Sequence, residues 1–193
     1  MKFSYDLDSV GWANVHLKIN EKEEYFSPSY VTEPLIDLLD AVMTLMKEFT
    51  PDDEVKSLTS FEWDFEPAIV DWKLKRLNDD ELLVTIEIFR DGVKVLEGKR
   101  LGEQLLSEQC DLIEFIREIV SSLDLLITKY GLVGYRENWS GADFPIGRYL
   151  KLKHFVIHRQ PINVDIANEG EWNEYRKTNT NLELEILNNL FKE

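Results

Sequence analysis

The sequence predicts an α+β protein: a mostly antiparallel sheet built from two β-β-β-α halves with their helices packed on one face, plus a C-terminal strand and helix. Three observations carry this. Apolar and polar residues alternate over Phe3–Leu7, Ala13–Ile19 and Val70–Leu74, the period of a half-buried strand. Leu112, Ile116, Ile119, Leu123, Leu126 and Tyr130 recur at steps of three and four, which is one face of a helix. The same order of elements also occurs twice, with an offset of roughly 70 residues between Val15 and Thr85 and between Leu35 and Leu105. The expected organisation is one domain, 1–193, with pseudo-repeat halves 1–50 and 61–131 sharing one antiparallel sheet and an extension over 132–193.

Taken in order, Lys2–Leu7 is a first strand, Asp8-Ser9 and Gly11 a turn, and Ala13–Ile19 a second strand. Asn20–Glu24 reads as a charged turn. Tyr25–Val31 reads as a third strand, with Pro28 marking an edge or a bulge. Thr32-Glu33-Pro34 opens a helix, since proline fits the first turn, and Leu35, Leu38, Leu39, Val42, Met46 and Phe49 form its apolar face. Pro51-Asp52-Asp53 ends it, and a short charged linker runs to Ser60.

The second half begins with Phe61-Glu62-Trp63-Asp64-Phe65-Glu66, where aromatics alternate with carboxylates as a strand requires. Val70–Lys75 and Leu83–Phe89 are strands separated by the turn residues Asn78–Glu81. Asp91-Gly92 between Phe89 and Val93–Val95 predicts a hairpin, closed by a two-residue turn or by a three-residue loop with a bulge, because glycine accepts positive φ. A helix follows beyond Gly102, with Ser107 or Asp111 as its cap and Gly131 as its end. Gly131–Gly147 reads as a long irregular loop and Arg148–Arg159 as a basic strand. Pro161–Ala167 is a short strand, and Glu169–Arg176 a short helix with Trp172 inward. Thr180–Glu183 has capping-box spacing and opens a last helix with Ile186, Leu187, Leu190 and Phe191 inward.

Composition narrows the function. The 22 basic and 37 acidic residues leave a net charge of −15. Residues 1–81 carry 8 of the basic and 19 of the acidic side chains, whereas 148–159 carries 4 basic and no acidic ones. Such a field repels phosphate backbones and anionic lipid, so neither nucleic acid nor a membrane surface is an expected partner, and a basic protein is. The single cysteine, Cys110, forms no internal disulfide and reads as a buried, inert thiol. The absence of an apolar leader or of a run of about 18 apolar residues predicts a cytoplasmic protein.

No spacing in the chain marks a catalytic set, a metal centre or a cofactor cradle. The glycines of 131–147 match neither dinucleotide nor P-loop patterns. The candidate partner-binding residues are Glu62, Trp63, Asp64 and Glu66, where ring faces and carboxylates together suit a cationic surface, joined by Trp139 and Asp143 of the glycine-rich loop. A ligand-binding alternative uses Arg148, His154 and His158. The two histidines would also adjoin on a helix, but the sequence offers them no third metal ligand. Three readings follow. The first is an acidic interaction protein that occupies a basic partner, as an inhibitor or a toxin-neutralising immunity protein does. The second is a small-ligand binder or enzyme with its site in 131–159, which the missing catalytic set disfavours. The third is a structural or regulatory homo-oligomer, a homodimer joined through the C-terminal helix.

Overall fold

The structure is a computed structural model that describes residues 1–92, 102–168 and 174–191. Its described elements are strands β1 (Lys2–Ser9), β2 (Trp12–Ile19) and β3 (Lys22–Phe26), helix α1 (Pro34–Thr44), strands β4 (Leu58–Asp64), β5 (Ile69–Arg76), β6 (Glu81–Phe89) and β7 (Glu103–Asp111), and helices α2 (Leu112–Asn138) and α3 (Ile146–His158). Strands β8 (Asp165–Asn168) and β9 (Glu174–Lys177) and helix α4 (Thr180–Asn188) complete them, with one short 3₁₀ turn, Asn189–Phe191. All strand pairs are antiparallel, so the α+β class and the C-terminal strand and helix stand as expected.

The halves do not share a sheet. β1-β2-β3 forms one sheet, β4-β5-β6-β7 a second, and β8-β9 a third. Where β3 passes β7, side chains replace the backbone ladder that would join the sheets: Asn20 Nδ2 donates to Glu108 Oε2 at 2.8 Å and to the Gln109 carbonyl at 3.4 Å. At its other end the chain leaving β3 reaches β4, where Ser29 N donates to the Asp64 carbonyl at 2.8 Å. The segment after β2 thus crosses the second sheet from one outer strand to the other. Phe26 fills that crossing, 5.4 Å from Trp72 and 6.4 Å from Trp63 between ring centres. One apolar core collects the inward faces of both large sheets and of α1, α2 and α3.

Six local expectations are corrected. The third strand is Lys22–Phe26, not Tyr25–Val31, because the β2–β3 turn is only Asn20-Glu21, with Ile19 opposite Lys22 and Asn20 at φ +54°. Asp91-Gly92 is not a tight hairpin turn: Ile88 pairs with Glu103, so the connection is long, and the expected strand Val93–Val95 lies outside the described residues. Glu103–Asp111 is a strand rather than the start of the helix, and Asp111 caps α2 by accepting from Glu114 N at 2.6 Å. Gly131 does interrupt α2 at φ +67°, yet the chain resumes helical geometry to Asn138, so the expected long loop shrinks to Trp139–Pro145. Arg148–Arg159 is helix α3 rather than a strand, ending at Arg159 in the left-handed region (φ +58°). Of the helix expected over Glu169–Arg176, the described part, from Glu174, is strand; Trp172 lies outside the described residues.

The free edge of β1 is covered by α2. Phe3 N donates to Glu118 Oε2 at 3.3 Å and Tyr5 N to Ser122 Oγ at 2.7 Å, while Tyr130 Oη donates to Asp6 Oδ1 and the Leu7 carbonyl, both at 2.9 Å. Side chains four apart on a helix rise about 6 Å, close to the two-residue repeat of a strand, so the two ladders match in pitch. The last helix docks on the same body: Ile186 is buried, and Leu182, Leu187 and Leu190 pack against the core.

Candidate partner-binding surface

The structure brings the two predicted patches to one corner of the molecule. Tyr30 N donates to the Gly11 carbonyl at 2.9 Å, and Gly11 N to the Asn138 carbonyl at 2.8 Å, next to Trp139. With the Ser29–Asp64 bond, these backbone links run from the end of β4 through Pro28–Val31 and the β1–β2 turn to the end of α2. Asp64 N also donates to Thr32 Oγ1 at 3.2 Å, which fixes the same segment. Gly11 makes the closure feasible. It sits at φ +80°, and a Cβ there would lie 2.6 Å from Cδ1 of Tyr30.

The apolar side chains that this corner shows to solvent are Val10, Tyr30 and Val31, which are 68%, 51% and 57% exposed. Trp12, half-buried, pairs with Ser29 beside them. Carboxylates stand around the patch: Asp8 next to the turn, Glu66 after β4 and Glu137 before Asn138 are exposed, and Glu33 at the start of α1 is half-buried. An exposed apolar cluster with an acidic rim has the anatomy of an interface core and its polar border.

The predicted site residues divide between support and surface. Trp63 and Trp139 are fully buried and present no ring face to a partner. Trp63 lies 4.7 Å from Trp72, and Trp139 packs edge-on to Tyr5 and alongside Tyr135, both with centres 6.3 Å away. These indoles hold the corner in place from beneath. Glu62 and Asp64 are half-buried on β4, and Glu66 is exposed. Asp64 Oδ1 accepts from Glu66 N at 2.8 Å, so that carboxylate shapes the turn. Asp143 is exposed and pairs with Arg136 at 2.6 Å. Burial pushes the hydroxyls of Tyr5 and Tyr135 well above the usual phenol range, and the neighbouring Glu33 adds to both shifts, so both stay protonated near neutrality.

The alternative residues sit on α3, away from a catalytic arrangement. Arg148 grips Asp40 through two bonds of 2.5 and 2.9 Å. Lys153 pairs with Asp124, whose other oxygen accepts from Tyr149 Oη at 2.8 Å. The basic helix is therefore tied to α1 and α2 through two ion pairs. His154 and His158 do adjoin, with ring centres 4.5 Å apart, but His154 Nδ1 is hydrogen-bonded to the Gln160 carbonyl at 2.9 Å. Among the described residues no three His, Cys, Asp or Glu side chains gather as metal ligands. Burial, with help from Glu114 and Asp111, pushes the Cys110 thiol up to about 12, which removes it as a nucleophile at neutral pH.

Sequence reasoning missed Val10, Tyr30 and Val31. The available signal was weak: Val10 is an apolar residue in a tight turn, and Tyr30-Val31 fits the end of the strand expected over Tyr25–Val31. Comparison with protein families, characterised proteins and solved structures finds no match to this chain. No described helix is long and apolar enough to cross a membrane.

Proposed function

We propose that this chain is an acidic interaction protein that binds a basic protein partner through the Val10–Tyr30–Val31 corner, in the manner of an inhibitor or a toxin-neutralising immunity protein. The observation that supports this reading best is the exposure of Val10, Tyr30 and Val31 on hydrogen-bonded segments that also carry Asp8, Glu33, Glu66 and Glu137. The chain has 15 more carboxylates than cationic side chains, so internal pairing cannot neutralise its surface. Apolar contact supplies affinity in such a surface, and the rim charges select partner sign and speed encounter.

The test is native pull-down with mass spectrometry, using the full chain and a Tyr30→Ala, Val31→Ser double variant as baits. A stoichiometric basic protein recovered by the first and lost from the second is expected. Recovery of no stoichiometric partner, or of one with an acidic surface, would sink the proposal.

A further inference from the structure

We further propose that the outer edge of β4 accepts an extended, cationic segment of the basic partner as an added antiparallel strand; this rests on the proposed function and adds a second contact to it. Among the described residues β4 ends its sheet and pairs with β5 alone. Arg76 N donates to the Ser57 carbonyl at 2.9 Å. The strand period then turns the backbone groups of Thr59, Phe61 and Trp63 towards β5 and those of Leu58 and Ser60 outward. Both ends of this edge are already tied: Lys56 N donates to the Thr44 carbonyl at 3.0 Å, and Asp64 bonds Ser29 and Thr32. Between the ties Leu58 and Ser60 are exposed. They line a cleft of about 370 Å³ together with Asp37, Asp40 and Thr44 of α1 and Phe61, beside the bond that Thr59 Oγ1 donates to the Ala41 carbonyl at 3.3 Å.

Charge decides the occupant. Asp40 is engaged by Arg148, and Lys56 also reaches the lining, so Asp37 is the carboxylate placed to meet an incoming cation. Burial raises its pKa, and Glu33 and Asp40 raise it further, a cost that a bound Lys or Arg relieves. A second copy is the wrong occupant. Pairing β4 with β4 would set the −15 field of one chain against that of the other. An extended basic segment satisfies the outward amides and Asp37 together, as strand addition does elsewhere.

The probe is an octapeptide of alternating arginine and valine, added to the isotopically labelled full chain. A copy with alternate amides N-methylated keeps the charge and removes the strand's bonds. Hydrogen exchange at Leu58 and Ser60 is expected to slow about tenfold or more with the first peptide and to stay unchanged with the second. Asp37→Asn is expected to weaken binding of the first peptide about tenfold, the scale of one charge-assisted bond. Equal binding of both peptides, or binding without protection at Leu58 and Ser60, overturns strand addition. Binding of either peptide that is abolished by Tyr30→Ala and leaves β4 unprotected overturns it while the corner survives as the partner site. Protection that grows with protein concentration alone points to a second copy and overturns it as well. No binding of either peptide at millimolar concentration counts against both proposals.

Discussion

Gly11 concentrates several demands in one residue. Its positive φ, its carbonyl and its N–H all serve the corner, and Tyr30 lies where a side chain would grow. Gly11→Ala should cost about 1–3 kcal/mol in denaturant unfolding and loosen Tyr30. Cys110, half-buried on β7, offers a cleaner reading. Its thiol, held protonated up to about 12, should resist iodoacetamide at pH 8 in the folded chain and react at once in denaturant. The same shift means that folding holds the proton more tightly. This contribution to stability is complete below the ordinary thiol value near 9.0 and fades as pH climbs from there to about 12. Asp37 has a raised pKa for the related reason of burial beside Glu33 and Asp40. Its contribution is therefore present in acid and lost as pH rises through the carboxylate range. Asp37→Asn should raise the melting temperature at neutral pH, with the gain vanishing in acid.

The contact between α2 and β1 is the clearest test among the elements. Ser122→Ala leaves the buried Tyr5 amide without its acceptor and should cost about 1–3 kcal/mol, while the exposed cap change Asp111→Ala should cost about 1 kcal/mol. Thermal and denaturant unfolding would rank the two. Elements with a continuous apolar stripe were legible in the sequence: β1, β2, β5, β6 and α2 each repeat buried apolar residues at strand or helical spacing, such as Val70, Trp72 and Leu74 or Leu82, Val84 and Ile86. β7 escaped notice because Leu106 is its only buried side chain, so its alternation is faint. α3 was misread for the opposite reason. Leu150, Leu152, His154 and Val156 fit a period of two, but the chain buries Tyr149, Leu152 and Phe155 at helical spacing. Of the candidate site, the neighbourhood and Glu66 were readable, while Asp8, Glu33 and Glu137 were not. Which rings would be inside was not, since a strand residue such as Trp63 and a turn residue such as Tyr30 differ only in what covers them.

At the scale of the whole molecule, the proposed recognition has the excess of carboxylates govern encounter more than hold. Association with the proposed basic partner should slow sharply between about 0.05 and 0.5 M salt, while the dissociation rate changes little, because distant charges are screened and the apolar contact is not. Stopped-flow kinetics would separate the two rates. An association rate indifferent to salt would mean that the acidic field has no part in recognition.

The seal that α2 places over β1 has a further consequence, for how far any assembly can grow. A fibril needs a template at each end of the repeating unit, so that every joined molecule offers the next a fresh row of amides. Here Glu118, Ser122 and Tyr130 have already used the row along β1. A molecule that approaches along β1 therefore meets no open row. Addition at that edge stops before its first step, and the helix acts as a terminator for that side of the β1-β2-β3 sheet.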